Sequence, residues 1–324
     1  MVHTFKTLAS DIRRNISVQD YLALAFHAYM LLRAFTAPPS TQIAFVQNLA
    51  LLLLVTTLFT VTAVRGELLR PGHLRALIYR VGIFVPVAGS YLEMRALLPA
   101  LDLQLVDQTL LGIDRALFGE TPAQLLSIFN RTGVVEWFSF FYYSYFVWLA
   151  VLLVPTLLFD RGRRMQELLF GAMIVACVGH IGYTLVPGVG PWGALHFDEP
   201  LRGGFWWAQV NAVVSSAGAQ MDIFPSLHTA FSVYFALHAF GHRERRLNRW
   251  LWPVLAFFAL NIVAATLILR WHYGIDLVAG IALAVFARRA SVWAADHEAR
   301  RNAGIVRQPV WLPWIGVGQR LDRS

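Results

Sequence analysis

The sequence predicts an all-α fold, a polytopic transmembrane helical bundle of about eight spans with interfacial amphipathic helices between spans three and four. Three observations carry that expectation. Hydrophobic residues make up 57% of the chain, above the share of an ordinary soluble domain. Apolar runs long enough to cross a bilayer recur from Tyr21 to Ala295 with no long polar linker between them. Arginines gather in alternate connections between those runs.

A hydrocarbon core about 30 Å thick needs about 20 mostly apolar residues at 1.5 Å rise. Segments of that character lie at 21–37, 42–64, 74–98, 134–159, 167–186, 223–240, 250–269 and 275–295. The chain then divides into a tail 1–20, three first spans within 21–98, an amphipathic segment 99–133, a membrane core 134–295 and a second tail 296–324. The segment between spans three and four mixes apolar residues with Asp102, Asp107, Asp114, Arg115 and Glu120, too polar to cross and suited to the interface. Residues 187–222 are rich in Gly, Pro and Trp, including Trp192, Trp206 and Trp207, as in a loop packed against headgroups. The basic start, Lys6, Arg13 and Arg14 before an apolar run, has the outline of a signal peptide. No small-residue cleavage site follows it, so a retained first helix is expected.

Eight crossings place alternate loops on opposite sides, and the basic set marks the cytoplasm. Lys6, Arg13, Arg14, Arg65, Arg70, Arg75, Arg161, Arg163, Arg164, Arg243, Arg245, Arg246, Arg249, Arg288, Arg289, Arg300 and Arg301 fall in one set. Both termini are then cytoplasmic, and the 38–41, 101–131, 187–222 and 270–274 connections are extracytoplasmic. The expected location is a bacterial plasma membrane. Lys6 is the only lysine, and a basic excess in membrane loops gives no reason to expect nucleic acid. Cys177 is the only cysteine, which excludes an intrachain disulfide, a thiolate cluster and a redox pair.

Two motifs open spans on that outer side. Phe224-Pro225-Ser226-Leu227-His228-Thr229 begins the sixth, with proline where the first turn of a helix tolerates a missing N–H. Free amides and the helix dipole make such a turn a phosphate cradle, to which Ser226 and Thr229 add hydroxyl donors. Arg270-Trp271-His272-Tyr273-Gly274-Ile275-Asp276 begins the eighth, and the four-residue spacing of His272 and Asp276 puts both on one helix face. A carboxylate on one ring nitrogen fixes the tautomer and frees the other nitrogen, as a nucleophilic histidine requires. With one span in and one back, His228 and His272 end on the same membrane face. Each motif alone also fits a plain helix start or an interfacial aromatic anchor; their conjunction points to a site.

These motifs, with Gly182-Tyr183 and Pro187-x-x-x-Pro191-Trp192 before them, resemble the type 2 phosphatidic acid phosphatase superfamily, from roughly the third span to the eighth. More narrowly they resemble its inositol phosphorylceramide synthase, or inositolphosphotransferase, branch. Leu227 matches that branch's Ser-Leu-His where lipid phosphatases carry Ser-Gly-His, and Gly190-Pro191-Trp192 departs by one residue from its Pro-Pro-Trp. The resemblance implies that His272 attacks phosphorus, Asp276 orients it and His228 protonates the leaving oxygen, through a phosphohistidine. It implies no cofactor and no metal, and a phospholipid or polyprenyl phosphate as partner within the bilayer. Tyr183, Pro191 and Trp192 then belong to a substrate loop.

The departures concern cations. The phosphatases' Lys-x6-Arg-Pro motif has no acceptable counterpart, and the arginine expected six residues before His272 is Thr266. Arg270, one turn along the same face, is the expected phosphate clamp, with a snorkelling arginine as the alternative. His180 fits either the pocket or a satisfied core histidine; Arg80, Glu93 and Arg95 fit either a buried network or the site lining; Asp114-Arg115 fits a helix cap better than an acceptor site. Three functions compete: a phosphotransferase moving a phosphoryl or phospho-alcohol headgroup to a lipid or polyol, a phosphatase acting on phosphatidate or a polyprenyl diphosphate, and a non-catalytic lipid transporter. Oligomeric state is not readable.

Overall fold

The computed structural model describes residues 2–217 and 220–302, so 303–324 of the expected second tail lie outside the described residues. Every regular element among them is helical. The chain runs through α1 (Val2–Asn15), α2 (Val18–Thr36), α3 (Ile43–Arg65), α4 (His73–Ala100) and α5 (Asp107–Phe118). Then come α6 (Pro122–Leu125), a 3-10 turn over Leu126–Phe129, α7 (Thr132–Phe159), α8 (Gly162–Leu185), α9 (Gly190–Ala194) and α10 (Phe205–Ala217). The last three are α11 (Leu227–Gly241), α12 (Arg246–Ile268) and α13 (Gly274–Asn302).

Among the described residues five helical segments, α3, α4, α7, α8 with its continuation into α9, and α12, are long and apolar enough to cross a membrane by length and composition. The other three expected spans appear as helices of a different character. α11 has only 15 residues, and α2 and α13 carry charges such as Asp20, Arg33, Asp276 and Arg288. α11 packs against α7, α8, α12 and α13, and a helix enclosed by protein need not present a full-length apolar surface to lipid.

The N-terminal helices are tied at one end by a buried polar knot. Asp20 accepts from Arg65 Nε at 2.7 Å and from Tyr79 Oη at 2.6 Å, linking α2, α3 and α4. The pairing matters because a charge removed from water without a partner costs several kcal/mol. Of the three polar residues singled out on α4, Arg80 caps the end of α7 by donating to the carbonyls of Leu157 and Asp160, at 2.7 and 2.9 Å. Arg95 reaches the carbonyl of Ser216. Glu93 is fully buried, and neither carboxylate oxygen has a hydrogen-bond partner among the described residues.

In α5 the inward face is the surprise for a segment read as interfacial. Asp107, Leu110, Leu111 and Asp114, spaced at i, i+3, i+4 and i+7, are buried, whereas Leu117 and Phe118 are exposed. Asp114 accepts from the amides of Gly274 and Ile275, at 2.8 and 2.9 Å, and from Thr121 Oγ1 at 2.7 Å. It therefore caps α13 from another helix, satisfying donors that the helix start leaves open. Asp114→Ala is expected to lower stability by about 2–3 kcal/mol, read as a fall in the thermal unfolding midpoint in detergent, with Asp114→Asn retaining most of it.

Candidate active site

Ser226 is the N-cap of α11, with Thr229 N donating to its Oγ at 3.4 Å. The helix thus begins two residues after Pro225, which precedes the cap instead of standing in the first turn. Ser226 and Thr229 are both fully buried, Thr229 Oγ1 is without a partner among the described residues, and neither lines the cavity described below. One residue on from Leu227, the His228 ring is held between Tyr142 and Tyr145 of α7, each with its centroid 4.2 Å away. Its Nε2 has no hydrogen-bond partner among the described residues.

His272 lies before α13 rather than on it, so the expected shared helix face is not how it meets Asp276. The carboxylate reaches back from the first turn: Asp276 Oδ2 is 3.2 Å from His272 Nδ1 and accepts from the Tyr273 amide at 2.9 Å. Engagement of Nδ1 leaves Nε2 as the free ring nitrogen of His272. The two motifs meet directly. The Ser226 amide donates to the Asp276 carbonyl at 3.1 Å, and a Cβ at Gly280 would stand 2.7 Å from the Ser226 carbonyl oxygen, which only glycine permits. As a result the His228 and His272 ring centroids are 6.5 Å apart. At this separation both rings can face one small group held in the cavity between them.

Arg270 is placed differently from the expected clamp. α12 closes in a Schellman motif, with Trp271 N donating to Thr266 O and Arg270 N to Leu267 O, both at 3.0 Å. Arg270 takes the left-handed position, φ +66°, so the helical face does not continue to it. Its guanidinium donates to the Glu199 carbonyl at 2.9 Å, lies 3.9 Å from the Phe197 ring centroid, and does not line the cavity.

The loop 187–192 is fastened over the site. Asp107 accepts from Gly190 N at 2.8 Å, Val189 N at 3.1 Å and Tyr273 Oη at 3.1 Å. Trp192 N donates to the Arg270 carbonyl at 2.7 Å, and Trp192, Trp207 and Trp271 form an aromatic cluster. Pro191 is buried in α9, and Trp192 and Tyr183 line the same cavity as the histidines. That cavity has a volume of about 990 Å³. His180 is on its wall and is also satisfied, 2.9 Å from Ser90 Oγ, so both of its expected readings hold. Asp222 joins the lining from the loop before α11, accepting from Tyr91 Oη at 2.9 Å, and burial pushes its carboxyl above the ordinary value.

A model of the PAP2 superfamily matches residues 108–290, more than half of the chain. The chain belongs to the PAP2 superfamily. Membership places it among phosphatases and phosphotransferases acting on lipid phosphates. Neither a curated protein nor a solved structure matches it. The match starts inside α5, so the third expected span and all of α1 to α4 fall outside it. Within the site, sequence reasoning missed Tyr142, Tyr145, Asp222 and the part played by Asp107. The i, i+7 spacing of Asp107 and Asp114 on one face was the available signal.

Gly190 is the position at which the loop is least replaceable. Its φ is +75°, and a Cβ there would stand 2.3 Å from the Trp271 carbonyl oxygen next to His272. Gly190→Ala is expected to cost about 1–3 kcal/mol, seen in thermal unfolding, and to lower activity by displacing His272.

Proposed function

We propose that this PAP2 protein is a membrane lipid phosphotransferase working through a phosphohistidine. The observation that carries the reading is the 6.5 Å separation of the His228 and His272 rings at one cavity, with Asp276 on His272 Nδ1. His272 Nε2 attacks phosphorus, Asp276 holds the ring and favours its positive charge, and His228 donates a proton to the leaving oxygen from the far side. Tyr142, stacked on the ring, and Tyr145, tilted against it, keep His228 in place. An acceptor hydroxyl then takes the phosphoryl or phospho-alcohol group from His272, with His228 accepting its proton. Leu227 and the Trp192 loop favour an alcohol acceptor over water. Arg270 has no part in the proposal, because its guanidinium is engaged by Glu199 and Phe197.

The eight-span topology, with both termini cytoplasmic and the histidines extracytoplasmic, belongs to the same proposal and rests on the alternation of arginines. Cys177 is buried and therefore silent, so a cysteine placed at the exposed Glu199 reports the side. Labelling of intact cells by an impermeant maleimide is expected; labelling only after lysis reverses the orientation.

His272→Ala is expected to abolish turnover of radiolabelled donor lipid and labelling of the protein itself. His228→Ala should slow turnover by about 10²–10⁴-fold, and Asp276→Asn should weaken labelling without removing it. Product formed only in the presence of an alcohol acceptor supports transfer; rapid release of phosphate or phospho-alcohol into water without one makes the protein a hydrolase. Undiminished turnover in His272→Ala would remove the enzymatic reading.

A further inference from the structure

The cavity continues far beyond the two histidines. Along α7 it is lined from Tyr142 to Leu157, fifteen residues on, a distance of about 22 Å at helical rise. Along α8 it is lined from Tyr183 through His180, Ala176 and Ala172 to Leu169. The polar groups stand at the histidine end, whereas the far end is walled by Phe84, Leu153, Leu157 and Leu169. One wall, α4, lies outside the region matched to the family. Val85 of α4 and Val154 of α7 line the cavity and are each 51% exposed, so it opens sideways between those helices.

We infer that this channel houses the apolar tail of the substrate, so that the lipid phosphate is bound with its tail inside the bundle, against α4, instead of in the surrounding bilayer. The inference rests on the proposed function for the histidine end and adds the seat for the rest of the molecule. Continuity decides the occupant: a phosphoryl group between His228 and His272 has its ester oxygen at the mouth of an apolar passage. Lipid tails are as apolar as the side chains lining the channel, so transfer from the bilayer gives little net gain. The channel therefore selects by length and shape.

Ala176 and Ala172, buried on α8 one turn apart, provide the test. Phenylalanine at either one obstructs the passage, at depths differing by about 6 Å. Turnover of alkyl phosphates from butyl to octadecyl, with an alcohol acceptor present, is measured in detergent for the intact protein and for Ala176→Phe and Ala172→Phe. Within each variant, kcat/KM for chains reaching past the obstruction is expected to fall about tenfold or more relative to the shortest chain. The fall should begin at shorter chains in Ala176→Phe than in Ala172→Phe. A wild-type length profile in both variants, one shared cut-off, or an equal loss at every length would overturn the channel. Each of those outcomes leaves the His272→Ala result standing, whereas turnover surviving in His272→Ala removes the catalytic reading and not the channel.

Discussion

The close approach of the first turns of α13 to the cap of α11 is the constraint from which the site follows. At that junction the Ser226 amide meets the Asp276 carbonyl, and Gly280 leaves room for the Ser226 carbonyl. Two helix starts that are distant along the chain are thereby locked side by side. The residues on either side of the lock, His228 and His272, inherit their separation from it. A rotamer change moves a ring tip, but the backbone contact holds both side chains to one cavity.

The α5 helix reinforces this arrangement from outside the bundle. Its two buried aspartates act on backbone amides: Asp114 on the start of α13, Asp107 on the Val189–Gly190 turn. Each carboxylate satisfies donors that would be costly to bury open. The same α5 face thus fixes the start of α13, next to His272, and the 187–192 loop beside it. Asp107 also receives the Tyr273 hydroxyl, which joins both sets of contacts beside His272.

Legibility of the site followed the distance over which each contact acts. His228, His272 and Asp276 were readable because their motifs are short and each opens a helix. The reason for the His272 to Asp276 contact was not: the histidine precedes the helix, and the carboxylate bends back to it as a cap does. The placement of Arg270 was not readable for a related reason, since a left-handed residue in the Schellman turn sends its side chain to Glu199 and Phe197. Tyr142, Tyr145 and Asp222 were invisible because nothing local to them signals a histidine or a cavity.

From the sequence alone came the helical, membrane-embedded class and the two motifs that carry His228, His272 and Asp276. Those depend on hydropathy, on arginine placement and on residue spacing, all of which are local or additive along the chain. Tertiary structure alone decided that α11 is a short enclosed helix, that α5 turns its aspartates inward, and that α4 walls a passage running from the histidines. Such features depend on which helices meet and how closely, and packing between distant segments leaves no period in the sequence to read.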